Sequence, residues 1–248
     1  MPKLRVAYFG KGSTGIALLH TLADHPEVDV VAVAAWKPSR RSWSNAPAIG
    51  DVAQELGLPT VDSEEALAAI PFDVLLSVYY DRIIGKRVLE LARVASINLH
   101  AALLPDYRGR FTFLYAILNG EAEYGVTLHL IDEGVDTGAI IAKRSFPITA
   151  AATAQSLYDQ TAEEAIVLFQ ETLPSIIDGS FNSTPQDAGR YMYRTGDLPD
   201  GEVDLSWEPD YLDRFVRAMY FPPFDPAHLK IDGKTYFLTP HVGKDLTS

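Results

Sequence analysis

Short apolar runs alternate with stretches of helical spacing through the first hundred residues, and this alternation constrains the fold most. Residues 4–9, 28–35, 74–78 and 95–99 are mostly apolar, and helical patterns at 15–24, 48–56, 64–69 and 84–93 fall among them. Strands that are apolar on both faces and joined through helices build a parallel sheet covered on both sides. The pattern changes near residue 110. A helix is predicted over 111–119. Strands follow over 124–131 and 139–146, joined by a loop too short for a helical crossover, so they form an antiparallel pair. The fold class is therefore α/β, with a mixed, mainly parallel sheet. A long helix over 154–177 carries Leu157, Ala165, Leu168, Phe169 and Leu173 on one stripe, and Pro174 should kink or end it. Past Gly179 the texture turns to turns and aromatic residues, and Asp232-Gly233 between two short apolar runs signals a hairpin. The chain thus divides into a main unit, residues 1–180, and a small C-terminal β-rich region, residues 181–248.

Composition narrows the partners. Asp and Glu number 33 against 21 Lys and Arg, a net charge of −12. A protein that grips tRNA or a duplex carries a basic face. The longest basic cluster here, Lys37-Pro38-Ser39-Arg40-Arg41, reads as a solvated loop. A macromolecular nucleic acid is disfavoured as a partner; a nucleotide-sized one is not. The absence of cysteine removes disulfides, thiolate metal sites and thiol nucleophiles, and fits a cytoplasmic location. No apolar run approaches the roughly 20 residues of a membrane span. His20, His25, His100, His129, His228 and His241 lack metal-ligand spacing, so neither a membrane nor a metal is expected.

Gly10-Lys11-Gly12-Ser13-Thr14-Gly15 follows a strand and opens a helix, the setting of a dinucleotide fingerprint. An NAD-binding site also needs an acidic residue at the end of the next strand. That strand ends Ala34-Ala35-Trp36-Lys37, and Asp29 lies at its wrong end. Lys37 leaves NADP, and so an oxidoreductase, formally open. The glycines are equally explained by a tight turn into a helix whose N-terminus holds a phosphate, with Lys11, Gly12 and Ser13 at a diphosphate.

The chemistry-bearing segments lie further on. In Ser96-Ile97-Asn98-Leu99-His100, strand alternation points Asn98 and His100 the same way, at the carboxyl end where open α/β sheets bind ligands. A polar pair there must be hydrogen-bonded or used. The second segment is an alternating strand, Tyr124 to Ile131, followed by Asp132-Glu133-Gly134-Val135-Asp136-Thr137-Gly138, a loop able to bring the Asp136 carboxylate back across the sheet. His129 alternates in phase with Thr127 and reads as structural or supporting.

Taken together, N-L-H-x-x-L-L-P-x-Y-R-G from Asn98, then G-V-T-L-H from Gly125 and V-D-T-G-A-I-I from Val135, resemble the folate-dependent formyltransferases. The resemblance implies a Rossmann-like formyltransferase fold and N10-formyltetrahydrofolate as donor, without a metal. It maps the family's catalytic set onto Asn98, His100 and Asp136. Asn98 would stabilise a tetrahedral oxyanion as a neutral donor. His100 would move the proton, and Asp136 would orient the imidazole and stabilise its charged form. It also implies a pterin site formed by Tyr79, Tyr80, Arg82 and Ile84, the loop Asp132, Glu133 and Gly134, and the apolar wall of Leu104.

The segment around Phe221-Pro222-Pro223-Phe224 and the following hairpin is similar to the sugar N-formyltransferase branch, which acts on nucleotide-linked amino sugars for surface polysaccharides. A GDP- or dTDP-4-amino-4,6-dideoxyhexose is the acceptor this implies, with Tyr107, Arg108, Arg194, Phe221 and Phe224 as further contacts, and a homodimer as the assembly. The methionyl-tRNA branch carries a longer basic C-terminal domain that this sequence does not show. The glycinamide ribonucleotide branch lacks this tail.

Overall fold

The computed structural model describes residues 2–36 and 45–240, so the basic cluster at 37–41 and His241 lie outside the described residues. The chain opens with β1 (Leu4–Gly10), α1 (Gly12–Ala23), β2 (Val28–Ala34), α2 (Ile49–Glu55), β3 (Thr60–Val61), α3 (Glu64–Ala68), β4 (Phe72–Val78), α4 (Lys86–Leu89) and β5 (Ala92–His100). It continues with β6 (Arg108–Gly109), α5 (Thr112–Leu118), β7 (Glu123–Leu130), β8 (Ile140–Pro147) and α6 (Ala154–Asp178). The tail holds β9 (Met192–Tyr193), a single 3-10 turn (Thr195–Asp197), α7 (Pro209–Ala218), β10 (His228–Ile231) and β11 (Lys234–Phe237).

Seven strands form one sheet in the order β3-β2-β1-β4-β5-β7-β8. The first five are parallel, and β7 and β8 add antiparallel at the β5 edge. This is the mixed sheet that the loop lengths predicted. Alternation along the strands sorts the two faces. Val6, Tyr8, Leu76, Val78, Ile97 and Leu99 face α1, α2 and α6 in one core cluster. Ala7, Phe9, Val31 and Leu75 face α3 and α4 in another. Asn98 and His100 alternate with Ile97 and Leu99, so they rise from the thinner α3–α4 side.

Three local readings need correction. The helix predicted over 84–93 shrinks to α4, because the chain joins the sheet at Ala92, paired with Phe72. Pro174 does not end α6, which runs on to Asp178 and closes at Gly179 with φ 72°. The helix is fixed at its other end by a capping box between Thr153 and Ser156, and Pro174 falls near its C-terminal end. The tail, read as β-rich, also contains α7.

Tail and main unit share a third apolar cluster, in which Phe215, Ala218 and Phe221 pack with Phe113, Ile117 and Leu157. Arg214 Nε donates to the Leu118 carbonyl at 3.1 Å, tying α7 to α5. The Asp232-Gly233 hairpin forms as predicted, with both residues at positive φ, 49° and 74°. Among the described residues no helix is long and apolar enough to cross a membrane.

Candidate active site

Cross-strand pairing assembles the site. In the β5–β7 register Asn98 lies opposite His129 and His100 opposite Thr127, so both histidines and Asn98 share one face. Asp136, at φ 55°, sits in the loop after β7 and turns its carboxylate back over them. Its oxygens lie 3.6 Å from His100 Nδ1 and 3.7 Å from His129 Nε2, and one accepts from the Gly109 N–H at 3.0 Å. Burial by itself would push this carboxyl up. The imidazoles of His100 and His129 beside it and the Gly109 N–H outweigh it and hold the group well below the usual carboxylate range.

Hydrogen bonding assigns the ring nitrogens. His100 Nε2 lies 2.9 Å from the Tyr107 carbonyl, which only accepts, so Nε2 carries the proton. Nδ1 is then the nitrogen left for a reacting group, with the Asp136 charge beside it. The Tyr107 carbonyl thus orients the imidazole, and the Asp136 carboxylate stands beside its other nitrogen. His129 Nδ1 donates to the Leu130 carbonyl at 2.7 Å, which leaves Nε2 to accept from Asn98 Nδ2 at 3.1 Å. His129, 2% exposed, therefore orients the Asn98 amide. Strand phase had marked it as a supporting residue.

A groove of about 350 Å³ opens between α4 and the loop after β7, lined by Lys86, Leu89, Ser96, Ile131, Asp132 and Glu133 among others. Of the anticipated pterin contacts it includes Asp132 and Glu133, and it contains none of Asn98, His100 and Asp136. Asp132 shapes the rim by accepting from Gly134 N at 3.0 Å and from Thr137 Oγ1 at 2.5 Å, and Glu133 pairs with Lys86 at 2.6 Å. A larger hollow, about 510 Å³ around Glu202–Leu205 and Leu229–Ile231, contains none of the catalytic candidates.

The other anticipated contacts divide. Leu104 is buried, with its N–H on Thr127 Oγ1. Tyr79 turns into the α1–α6 core with its hydroxyl buried. Tyr80 packs edge-on against Phe9, with Trp36 adjoining, Arg82 is exposed, and Ile84 packs against the α3–α4 core. Lys11 pairs with Asp81 at 2.7 Å, Gly12 turns at φ 67°, and Ser13 is exposed. The ring of Tyr107 is buried and its hydroxyl donates to Glu121. Arg108 binds Gln186 and the Asp187 carbonyl. Arg194 is exposed. Phe221 is core, against Phe113 and Tyr158, whereas Phe224 is 46% exposed.

Packing accounts for two of the three glycines of the fingerprint, Gly10 and Gly15. A side chain at Gly10 would strike the Tyr8 ring at 2.3 Å, and one at Gly15 would meet the Gly10 backbone at 3.1 Å. The Tyr8 hydroxyl donates to the Gly15 carbonyl at 2.6 Å. Gly12, at φ 67°, has open space around its Cα. Among the described residues no group of three or more His, Asp and Glu side chains is disposed to hold a metal ion.

The formyl transferase family model matches residues 3–173. The GDP-perosamine N-formyltransferase of Brucella melitensis is 34% identical over 242 residues, 96% of this chain and 93% of that one. The methionyl-tRNA formyltransferase of a Synechocystis species is 30% identical, over 89% of this chain and 70% of that one. The crystal structure of the N-formyltransferase from Helicobacter canadensis in complex with folinic acid and dTDP-3-aminofucose superimposes with a TM-score of 0.76 at 27% identity, covering 94% of this chain and 85% of that one. The chain belongs to the formyl transferase family.

Proposed function

We propose that this protein transfers a formyl group from N10-formyltetrahydrofolate to the amine of a nucleotide-linked amino sugar, a GDP- or dTDP-4-amino-4,6-dideoxyhexose. The observation that carries the reading is the convergence of Asn98, His100 and Asp136 on one face of the sheet. The folate donor brings an activated formyl carbon. Asn98, oriented by His129, donates to the oxygen that becomes negative when the amine adds. His100 Nδ1 accepts the proton the amine loses, and Asp136 stabilises the resulting imidazolium. Relay of that proton to the leaving nitrogen completes the exchange, so no net charge is left in the site.

The acceptor follows from likeness to the Brucella and Helicobacter enzymes and from charge. A net −12 opposes a tRNA substrate and suits a small one whose diphosphate meets a few local cations. In this reading residues 1–180 carry the chemistry, and residues 181–248 close the acceptor side around Phe224. The enzyme works as a cytoplasmic homodimer supplying surface polysaccharide assembly. The test is incubation with N10-formyltetrahydrofolate and a panel of nucleotide-linked 4-amino sugars, read by product mass. Gain of one formyl on a sugar is expected. Turnover of methionyl-tRNA with no formylated sugar would overturn the acceptor.

A further inference from the structure

Two loops hold the reacting groups, and one side chain joins them. The first, residues 105–110, supplies the Tyr107 carbonyl to His100 and the Gly109 N–H to Asp136. The second, residues 132–138, carries Asp136. Gln186, in the segment after α6, donates Nε2 to the Asp136 carbonyl at 3.0 Å and to the Gly138 carbonyl at 2.6 Å. Its Oε1 accepts from Arg108 at 2.9 Å. Every polar atom of this amide is therefore spent on tying one loop to the other.

The neighbouring backbone shows that the segment is seated there closely. A side chain at Gly189 would lie 1.9 Å from the Pro105 carbonyl oxygen, and one at Gly109 would lie 2.0 Å from that of Tyr193. β9 pairs in parallel with β6, with Arg108 N on the Tyr191 carbonyl and Arg110 N on that of Tyr193. The Thr184–Ile140 bridge anchors the segment to β8 just before Gln186. Asp136 holds a positive φ of 55°, a conformation that needs support from its surroundings.

We propose that Gln186 is a positioning residue for the reaction: it locks the Asp136 loop against the loop that orients His100, and so sets the distance between carboxylate and imidazole. Arg108, anticipated as a diphosphate contact, serves in this clamp. The inference rests on the formyl-transfer reading for its kinetic consequence and on the loops alone for its structural one.

Two variants test it. Gln186→Glu keeps the shape and still accepts from Arg108, but it removes both donors and sets a negative charge against two carbonyls. Gln186→Met keeps the bulk and removes all three hydrogen bonds. In both, kcat should fall about 10- to 100-fold, because displacement of a catalytic group by about 1 Å costs rate on this scale. KM for donor and acceptor should stay near the wild-type values. Hydrogen exchange of peptides spanning 105–110 and 132–138 should quicken in both variants while the β1–β5 sheet is unchanged. Exchange is read without substrate, so it decides the clamp even if the wild-type enzyme formylates no sugar, a result that would overturn the acceptor assignment instead. Unchanged exchange in both loops would overturn the clamp. So would a kcat of the Glu variant near that of the wild type, or a loss of kcat that merely follows a loss of melting temperature.

Discussion

Replacing Asp136 by Asn isolates the contribution of charge. Asn has nearly the same shape, tolerates the φ of 55° at this position, and can still accept the Gly109 N–H. What disappears is the negative charge 3.6 Å from His100 Nδ1. At 3.6 Å and an effective dielectric of about 20, unit charges attract by about 4–5 kcal/mol. Lost at the step where the imidazole becomes cationic, that corresponds to roughly a thousandfold in rate. The assay is formation of tetrahydrofolate and formylated sugar under steady-state conditions, with folding followed by circular dichroism. kcat should fall by about three orders of magnitude while donor KM changes little, the signature of an interaction made mainly in the transition state. A folded Asp136→Asn enzyme keeping more than about a tenth of the wild-type kcat would refute an electrostatic role of this size.

Other outcomes follow from the same geometry. Gly109→Ala puts a Cβ 2.0 Å from the Tyr193 oxygen at a φ of 97°, and should lower stability by more than about 2 kcal/mol in urea unfolding; an unchanged midpoint would contradict the close approach of β6 and β9. His129→Phe leaves the Asn98 amide and the Leu130 carbonyl without their partner. It should cost about 1–3 kcal/mol of stability and lower kcat more than it changes KM, whereas normal turnover would remove His129 from the account. Burial pushes the Tyr115 and Tyr158 hydroxyls up to about 12 from an ordinary 10.0. Folding therefore favours their neutral forms: the stability they contribute is complete below pH 10 and is lost as pH rises through about 12. Urea midpoints that stay constant across that alkaline window would contradict the burial of these rings.

Some of this architecture could be read directly because local pattern and tertiary role coincide. The buried strands are mostly apolar on both faces, and the short loop between β7 and β8 suits an antiparallel pair. Asn98 and His100 were visible because strand phase and position at a carboxyl end are properties of one short segment. Other features depend on distant partners. Residues 84–93 have a helical spacing, yet pairing with β4 draws Ala92 and Arg93 into the sheet. α7 had a usable signal, Pro209 at its first position and Tyr211, Phe215 and Ala218 at helical spacing, hidden among the aromatic residues of the tail. Gln186 had none. Its partners lie 48, 50 and 78 residues away, and nothing local distinguishes it from a surface glutamine. Phe221 and Phe224 share a motif, but the packing of α5 and α6 buries one and leaves the other half exposed.

The central claim is tested most directly by following the formyl carbon itself. N10-formyltetrahydrofolate labelled at that carbon would be offered to the enzyme with a nucleotide-linked 4-amino sugar and methionyl-tRNA together. The label should appear as a formamide on the sugar nitrogen, and Asn98→Ala, His100→Ala and Asp136→Asn should each suppress it. Label on methionyl-tRNA, or label released as free formate with the sugar unmodified, would contradict the account.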